Sequence, residues 1–91
     1  MPKFLIERNI PGVGNKSAAD LKAIAQKSCD VLREMGPDIQ WQHSYVAGNK
    51  TFCIYFAKDE ASIQKHAKLS GIPVTKITEV LKIIDPLTAN N

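Results

Sequence analysis

Residues 39–57 read Ile39-Gln-Trp-Gln-His-Ser-Tyr-Val46, then Ala47-Gly-Asn-Lys50, then Thr51-Phe-Cys-Ile-Tyr-Phe-Ala57. The two flanking runs are rich in aromatic and β-branched residues, the side chains that suit a pleated, half-buried surface. The four residues between them have the composition of a tight turn, with Gly48-Asn49 fitting a two-residue loop. A β-hairpin therefore stands at the middle of the chain, and the remaining segments are arranged around it.

Working outward, each side of the hairpin carries a helix and then a strand. On the N-terminal side Leu21, Ile24, Ala25, Ser28, Val31, Leu32 and Met35 recur at three- and four-residue steps, which marks one face of a helix. Ser17 stands at its N-cap, with Asp20 three residues on, and Gly36-Pro37 closes it. Before it lie a loop, Asn9–Asn15, and a short apolar run, Lys3–Glu7, read as a strand. On the C-terminal side Asp59 caps a second helix with a sparser apolar face of Ala61, Ile63, Ala67 and Leu69. Gly71 and Pro73 end it, and Ile77–Ile84 reads as the last strand, closed by Asp85-Pro86. The order is βαββαβ, an α+β, ferredoxin-like domain over residues 1–86 with a flexible tail at 87–91. Right-handed crossovers put both helices on one face of a four-stranded antiparallel sheet. The other face is uncovered, so it is polar or is buried against a partner. A second copy would close it as a homodimer, in the manner of a dimeric α+β barrel.

Bulk properties narrow the classes. The chain of 91 residues, with 44% hydrophobic and 23% charged residues, makes one folded domain rather than a disordered segment. A net charge of +3 without a Lys/Arg run argues against nucleic acid as a partner. No signal-peptide pattern and no membrane-length apolar stretch is present, which excludes a membrane partner and points to the cytoplasm. Cys29 and Cys53 stand apart, without the spacing of a thiolate zinc site, and free thiols fit that reducing compartment.

Strand alternation sorts the candidates for a site. Trp41, His43 and Tyr45 share one face of their strand, and Phe52, Ile54 and Phe56 alternate with Cys53 and Tyr55 on the next. An even turn, which we prefer, pairs Val46 with Thr51 and sets Trp41, His43 and Tyr45 beside Phe52, Ile54 and Phe56. An odd turn or a single bulge would instead gather Trp41, His43, Tyr45, Cys53 and Tyr55. In both cases Glu7, Trp41, His43, Tyr45, Cys53 and Tyr55 come from neighbouring strands and are the candidate ligand pocket. Imidazole, thiolate and carboxylate donors within one sheet suit a divalent transition metal such as Ni²⁺, Zn²⁺ or Cu²⁺. That makes His43, His66, Glu7 and Cys53 the candidate metal ligands. His66, on the second helix, is divided between the sheet edge and solvent. Each of these residues alone has a plainer role as core, interface or surface.

Two further patterns carry less. Gly12-Val13-Gly14-Asn15-Lys16-Ser17 follows a strand and opens a helix, but Asn15 before Lys16 and a short loop break the P-loop pattern. Ile10-Pro11-Gly12-Val13-Gly14, with Ala18 and Leu21, resembles a helix-hairpin-helix DNA-binding turn, in which glycine N–H groups meet phosphate. The strand-like Phe4-Leu5-Ile6 stands where that motif needs a helix.

A broader pattern runs from end to end. It comprises Ile6-Glu7-Arg8 before Pro11-Gly12, Gly36-Pro37-Asp38-Ile39 before Trp41, and His43-Ser44-Tyr45-Val46. It continues through Cys53-Ile54-Tyr55, Ala57 with Asp59-Glu60, His66-Ala67, Gly71 with Pro73, and Glu79-Val80 before Ile84-Asp85-Pro86. Together these residues resemble a family of small bacterial ferredoxin-like proteins of unassigned function that includes an actinobacterial nickel-binding protein. The resemblance implies a dimer and, for at least one member, nickel at the dimer surface. It does not transfer a ligand set, and Lys58 stands where the family pattern has proline. Two function classes follow. One is a homodimeric domain that binds nickel, another divalent metal or a small ligand without catalysis. The other is an enzyme of the dimeric α+β barrel type using His43 or Tyr45 as acid or base, with DNA binding through Gly12-Val13-Gly14 a more distant alternative.

Overall fold

The computed structural model describes residues 1–90, and Asn91, the last residue of the expected tail, lies outside them. Six regular elements follow the expected order: β1 (Lys3–Asn9), α1 (Ala18–Met35), β2 (Ile39–Val46), β3 (Lys50–Ala57), α2 (Glu60–Ser70) and β4 (Lys76–Val80). Local chemistry sets the helix ends. Ser17 Oγ accepts the Asp20 N–H at 3.1 Å and Asp59 Oδ1 accepts the Ser62 N–H at 2.9 Å, each satisfying an N–H that the first helical turn leaves free. Gly71, at φ 71°, takes the left-handed conformation that ends α2.

The sheet order is β2-β3-β1-β4, with every neighbouring pair antiparallel. This is the ferredoxin-like α+β fold. Phe4, Ile6, Ile39, Cys53, Tyr55, Ala57 and Ile63 form the buried core between sheet and helices, with Leu32, Met35, Trp41, Val74 and Ile77 packed around it.

The hairpin register is the even one, with Val46 opposite Thr51 and the Ala47 N–H donating to the Lys50 carbonyl at 2.9 Å. A bulge interrupts it between Trp41 and His43. One extra residue reverses alternation on one side of the irregularity only. His43 and Tyr45 therefore lie with Ile54 and Phe52, while Trp41 lies opposite Tyr55 on the helix side. The expectation that Trp41, His43 and Tyr45 share a face is corrected by that single residue.

The glycine loop has a structural task. Its backbone donors are used within the protein: Gly12 N–H to Asn49 Oδ1 at 2.9 Å, Val13 N–H to the Ile10 carbonyl at 3.1 Å, and Gly14 N–H to the Gly48 carbonyl at 2.9 Å. A β-carbon on Gly14 would stand 2.6 Å from the Ala47 carbonyl oxygen, so glycine here permits the loop to lie against the hairpin. Those three N–H groups are not left for a phosphate. β1, a strand, occupies the place of the motif's first helix. The DNA-binding alternative loses both of its supports.

β4 stops at Val80, short of the expected Ile84. Its neighbour is β1, and Val80 already faces Lys3, the first residue of that strand. Leu81–Ile84 has the composition of a strand and no strand beside it. The result is a run of exposed apolar side chains, Leu81, Ile83, Ile84 and Leu87. At the junction with the expected tail at 87–91, Pro86–Asn90 forms a 3-10 turn, and Asp85 Oδ1 accepts the Thr88 N–H at 3.2 Å. Among the described residues no helix is long and apolar enough to cross a membrane.

Candidate functional site

The candidate residues divide between the two faces of the sheet. Alternation along β1 and β3 puts Leu5, Glu7, Phe52, Ile54 and Phe56 on the face away from the helices, all half-buried. His43 and Tyr45, on the edge strand β2, share this face and are exposed. They touch each other: His43 Nε2 lies 3.2 Å from Tyr45 Oη, with the rings edge-to-face at 5.1 Å. Glu7 and Tyr45 flank Phe52 on its two neighbouring strands, and Lys50 Nζ stands 3.9 Å from Glu7 Oε1.

Cys53, Tyr55, Trp41 and His66 lie on the other face. Trp41 stacks on Tyr55 with centroids 6.4 Å apart and donates from Nε1 to Ser44 Oγ at 2.9 Å. His66, left undecided by the sequence, is fully buried and turned toward the sheet. Its ring sits 5.5 Å from that of Tyr55, and its Nε2 lies 3.2 Å from Ser28 Oγ on α1. The expected metal set is therefore split: His43 and Glu7 are on one side of the sheet, Cys53 and His66 on the other. Among the described residues no three His, Cys, Asp or Glu side chains stand close enough to hold one ion. Cys29 and Cys53 are both free thiols.

Arg8 is a residue that the sequence reading missed as a site residue. It is the last residue but one of β1, on the helix side, and is 2% exposed. Its Nη1 donates to the Ile72 and Pro73 carbonyls at 3.2 Å each, its guanidinium lies 6.0 Å from the Tyr55 ring centre, and its Nη2 has no partner. Arg8, Ser28, Trp41, Ser44, Cys53 and Tyr55 line a cavity of ≈ 210 Å³ closed on the helix side by Leu21, Ile24 and Ala25 of α1. Burial raises the Tyr55 pKa above its ordinary value, against the opposing pull of Ser28 and Arg8. The phenol stays neutral and can donate.

His66 responds to the same surroundings. Burial, and then the positive charge of Arg8, lower its pKa below the ordinary histidine value, against the Ser28 hydrogen bond. An unfolded chain takes up this proton below about pH 6.5, while the folded chain resists it until its own lower pKa. The unfolded state then binds more protons, so stability falls as pH drops from about 6.5 toward the folded pKa. We expect the urea midpoint to decline from pH 7.5 to 5.5, and His66→Gln to flatten this part of the curve. An equal decline in the variant would assign it to other groups.

The class of protein is set by these features: a small ferredoxin-like α+β domain with one open sheet face and, on the helix side, a largely apolar cavity beside the buried Arg8. A family model described as nickel responsive protein SCO4226-like matches residues 4–80, and the chain belongs to this family. The crystal structure of SCO4226 from Streptomyces coelicolor A3(2) superposes with a TM-score of 0.74 at 15% identity, covering 90% of this chain and 99% of that one. At that identity the likeness concerns the fold. None of the curated proteins matches the chain.

Proposed function

We propose that this protein is a non-catalytic, nickel-responsive binding domain that works as a homodimer, with the metal held at the open face of the sheet. The observation that carries the reading is the exposed His43–Tyr45 pair on that face, beside half-buried Leu5, Phe52 and Ile54. Imidazole nitrogen with oxygen donors suits Ni²⁺ better than Mg²⁺ or Ca²⁺. A single chain supplies too few donors on this face, and a two-fold apposition of two open faces would double them. His43, with Glu7 on the same face, would then be contributed by each copy. The family's description as nickel responsive supports the choice of metal.

The dimer reading has its own support. Half-buried aliphatic and aromatic side chains on an uncovered sheet make a self-complementary surface. The exposed run Leu81, Ile83, Ile84 and Leu87 continues β4 with no strand to pair. The alternative enzyme using His43 or Tyr45 has less to stand on, because the cavity beside Arg8 is lined from the opposite face.

Ile54 tests assembly and function together, because it lies between Leu5 and His43 at the middle of the face. Ile54→Asp would bury a carboxylate in the interface. We expect the parent to sediment at twice the chain mass at tens of micromolar, roughly the range for a standard-size interface. The variant should sediment as a monomer and lose nickel affinity with it. A parent that stays monomeric, or a monomeric variant with parental nickel affinity, contradicts the reading.

A further inference from the structure

The cavity under α1 has no part in the nickel reading, and its contents point to a ligand of its own. Arg8 carries a full positive charge yet is 2% exposed. Among the described residues the ion pairs are Arg33–Asp30, Lys50–Glu7 and Lys58–Asp38, none of which includes Arg8. The cavity lining contains no Asp or Glu. A buried charge without an opposite partner is costly unless something neutralises it. Carbonyl oxygens and the Tyr55 ring face take up part of the guanidinium, and Nη2 is left without an acceptor.

We propose that this cavity is a binding site for a small monocarboxylate with an apolar, planar body, the carboxylate seated on Arg8. The charge class follows from the count. One guanidinium neutralises one negative charge, whereas a phosphate dianion would leave a second charge buried and unpaired. The planar fork of arginine matches a carboxylate. The neutral Tyr55 phenol lines the same cavity and offers a further donor. Body and size follow from the walls. Leu21, Ile24 and Ala25 cover one side, and the Trp41–Tyr55 stack, with interplanar angle 20°, presents aromatic surface on the other. A dry apolar cavity of about 150 Å³ takes benzene. The ≈ 210 Å³ here therefore admits a single ring bearing a carboxylate.

Trp41 is the only tryptophan in the chain and lines the cavity, so its fluorescence reports occupancy directly. The probes are benzoate and phenylacetate, with benzamide as the uncharged isostere and inorganic phosphate as competitor, on the full chain without metal. At least one carboxylate should bind saturably at one per chain and raise the melting temperature. Benzamide should bind at least about tenfold more weakly. Arg8→Met should lose at least about tenfold in affinity for the carboxylate. Ala25→Leu, which fills the cavity and leaves Arg8 in place, should weaken binding as well, so a failure of Arg8→Met to fold does not remove the test. The proposal is overturned if neither carboxylate binds up to about 10 mM or if benzamide binds as tightly as benzoate. It is also overturned if phosphate displaces benzoate at lower concentration, or if Ala25→Leu binds like the parent. Because the probe is metal-free and the cavity is on the other side of the sheet, these results stand apart from those for nickel.

Discussion

Ile6→Ala is expected to lower stability by about 3–4 kcal/mol, the largest effect of any single substitution considered for this chain. Ile6 is 0% exposed on the central strand β1, opposite Cys53 of β3 and Ile77 of β4, within the core cluster. Removing its three outer carbons loses their burial and leaves a cavity. Strands on both sides fix the backbone, so collapse around the gap is limited. A domain of this size has only about 5–15 kcal/mol in total. In urea the midpoint should fall by about 2–4 M at an unchanged slope of about 1–1.5 kcal/mol/M. A change below about 1 kcal/mol would mean that the core closes over the gap far more readily than this packing allows.

Much of this fold is legible in the sequence because its signals are local. Ser17 and Asp59 bond the first turns of their own helices, Gly36 and Gly71 end them, and Gly48-Asn49 returns the chain in an even register. The site is less legible, because its decisive features are not local. The bulge beside His43 separates Trp41 from Tyr45, and nothing in the composition of Gln40–Ser44 announces it. Arg8 directly follows the apolar run Lys3–Glu7, and nothing in that position marks it as buried. Its burial depends on the Ile72 and Pro73 carbonyls, more than sixty residues away in sequence. His66 had a usable signal. With Ile63 and Ser70 it makes the buried stripe of α2 at three- and four-residue spacing, the rule that located α1. The overreach at β4 has a different cause: strand propensity in Leu81–Ile84 is real, but a strand needs a neighbour and β1 begins only at Lys3.

The second large effect concerns His43, and it bears on function. His43 is one of two histidines in the chain, and the other, His66, is enclosed on the opposite face beside Arg8. A nickel site on the open face therefore depends on His43 for its imidazole, with Glu7 and Tyr45 as nearby oxygen donors. Because His43 is exposed at the end of its contacts with Tyr45, His43→Ala removes a ligand without opening the core. The fold should be unchanged by circular dichroism. His66→Ala, in contrast, should reduce stability and leave the metal site in place.

Calorimetric titration of tag-free protein with Ni²⁺, run on the parent and on His43→Ala, tests the account most directly. The parent should bind Ni²⁺ more tightly than Mg²⁺ or Ca²⁺, and His43→Ala should weaken Ni²⁺ at least about tenfold, or ~1.4 kcal/mol. A parent with no preference for Ni²⁺, or a His43→Ala variant that binds it like the parent, would contradict the assignment of the open face as the nickel site.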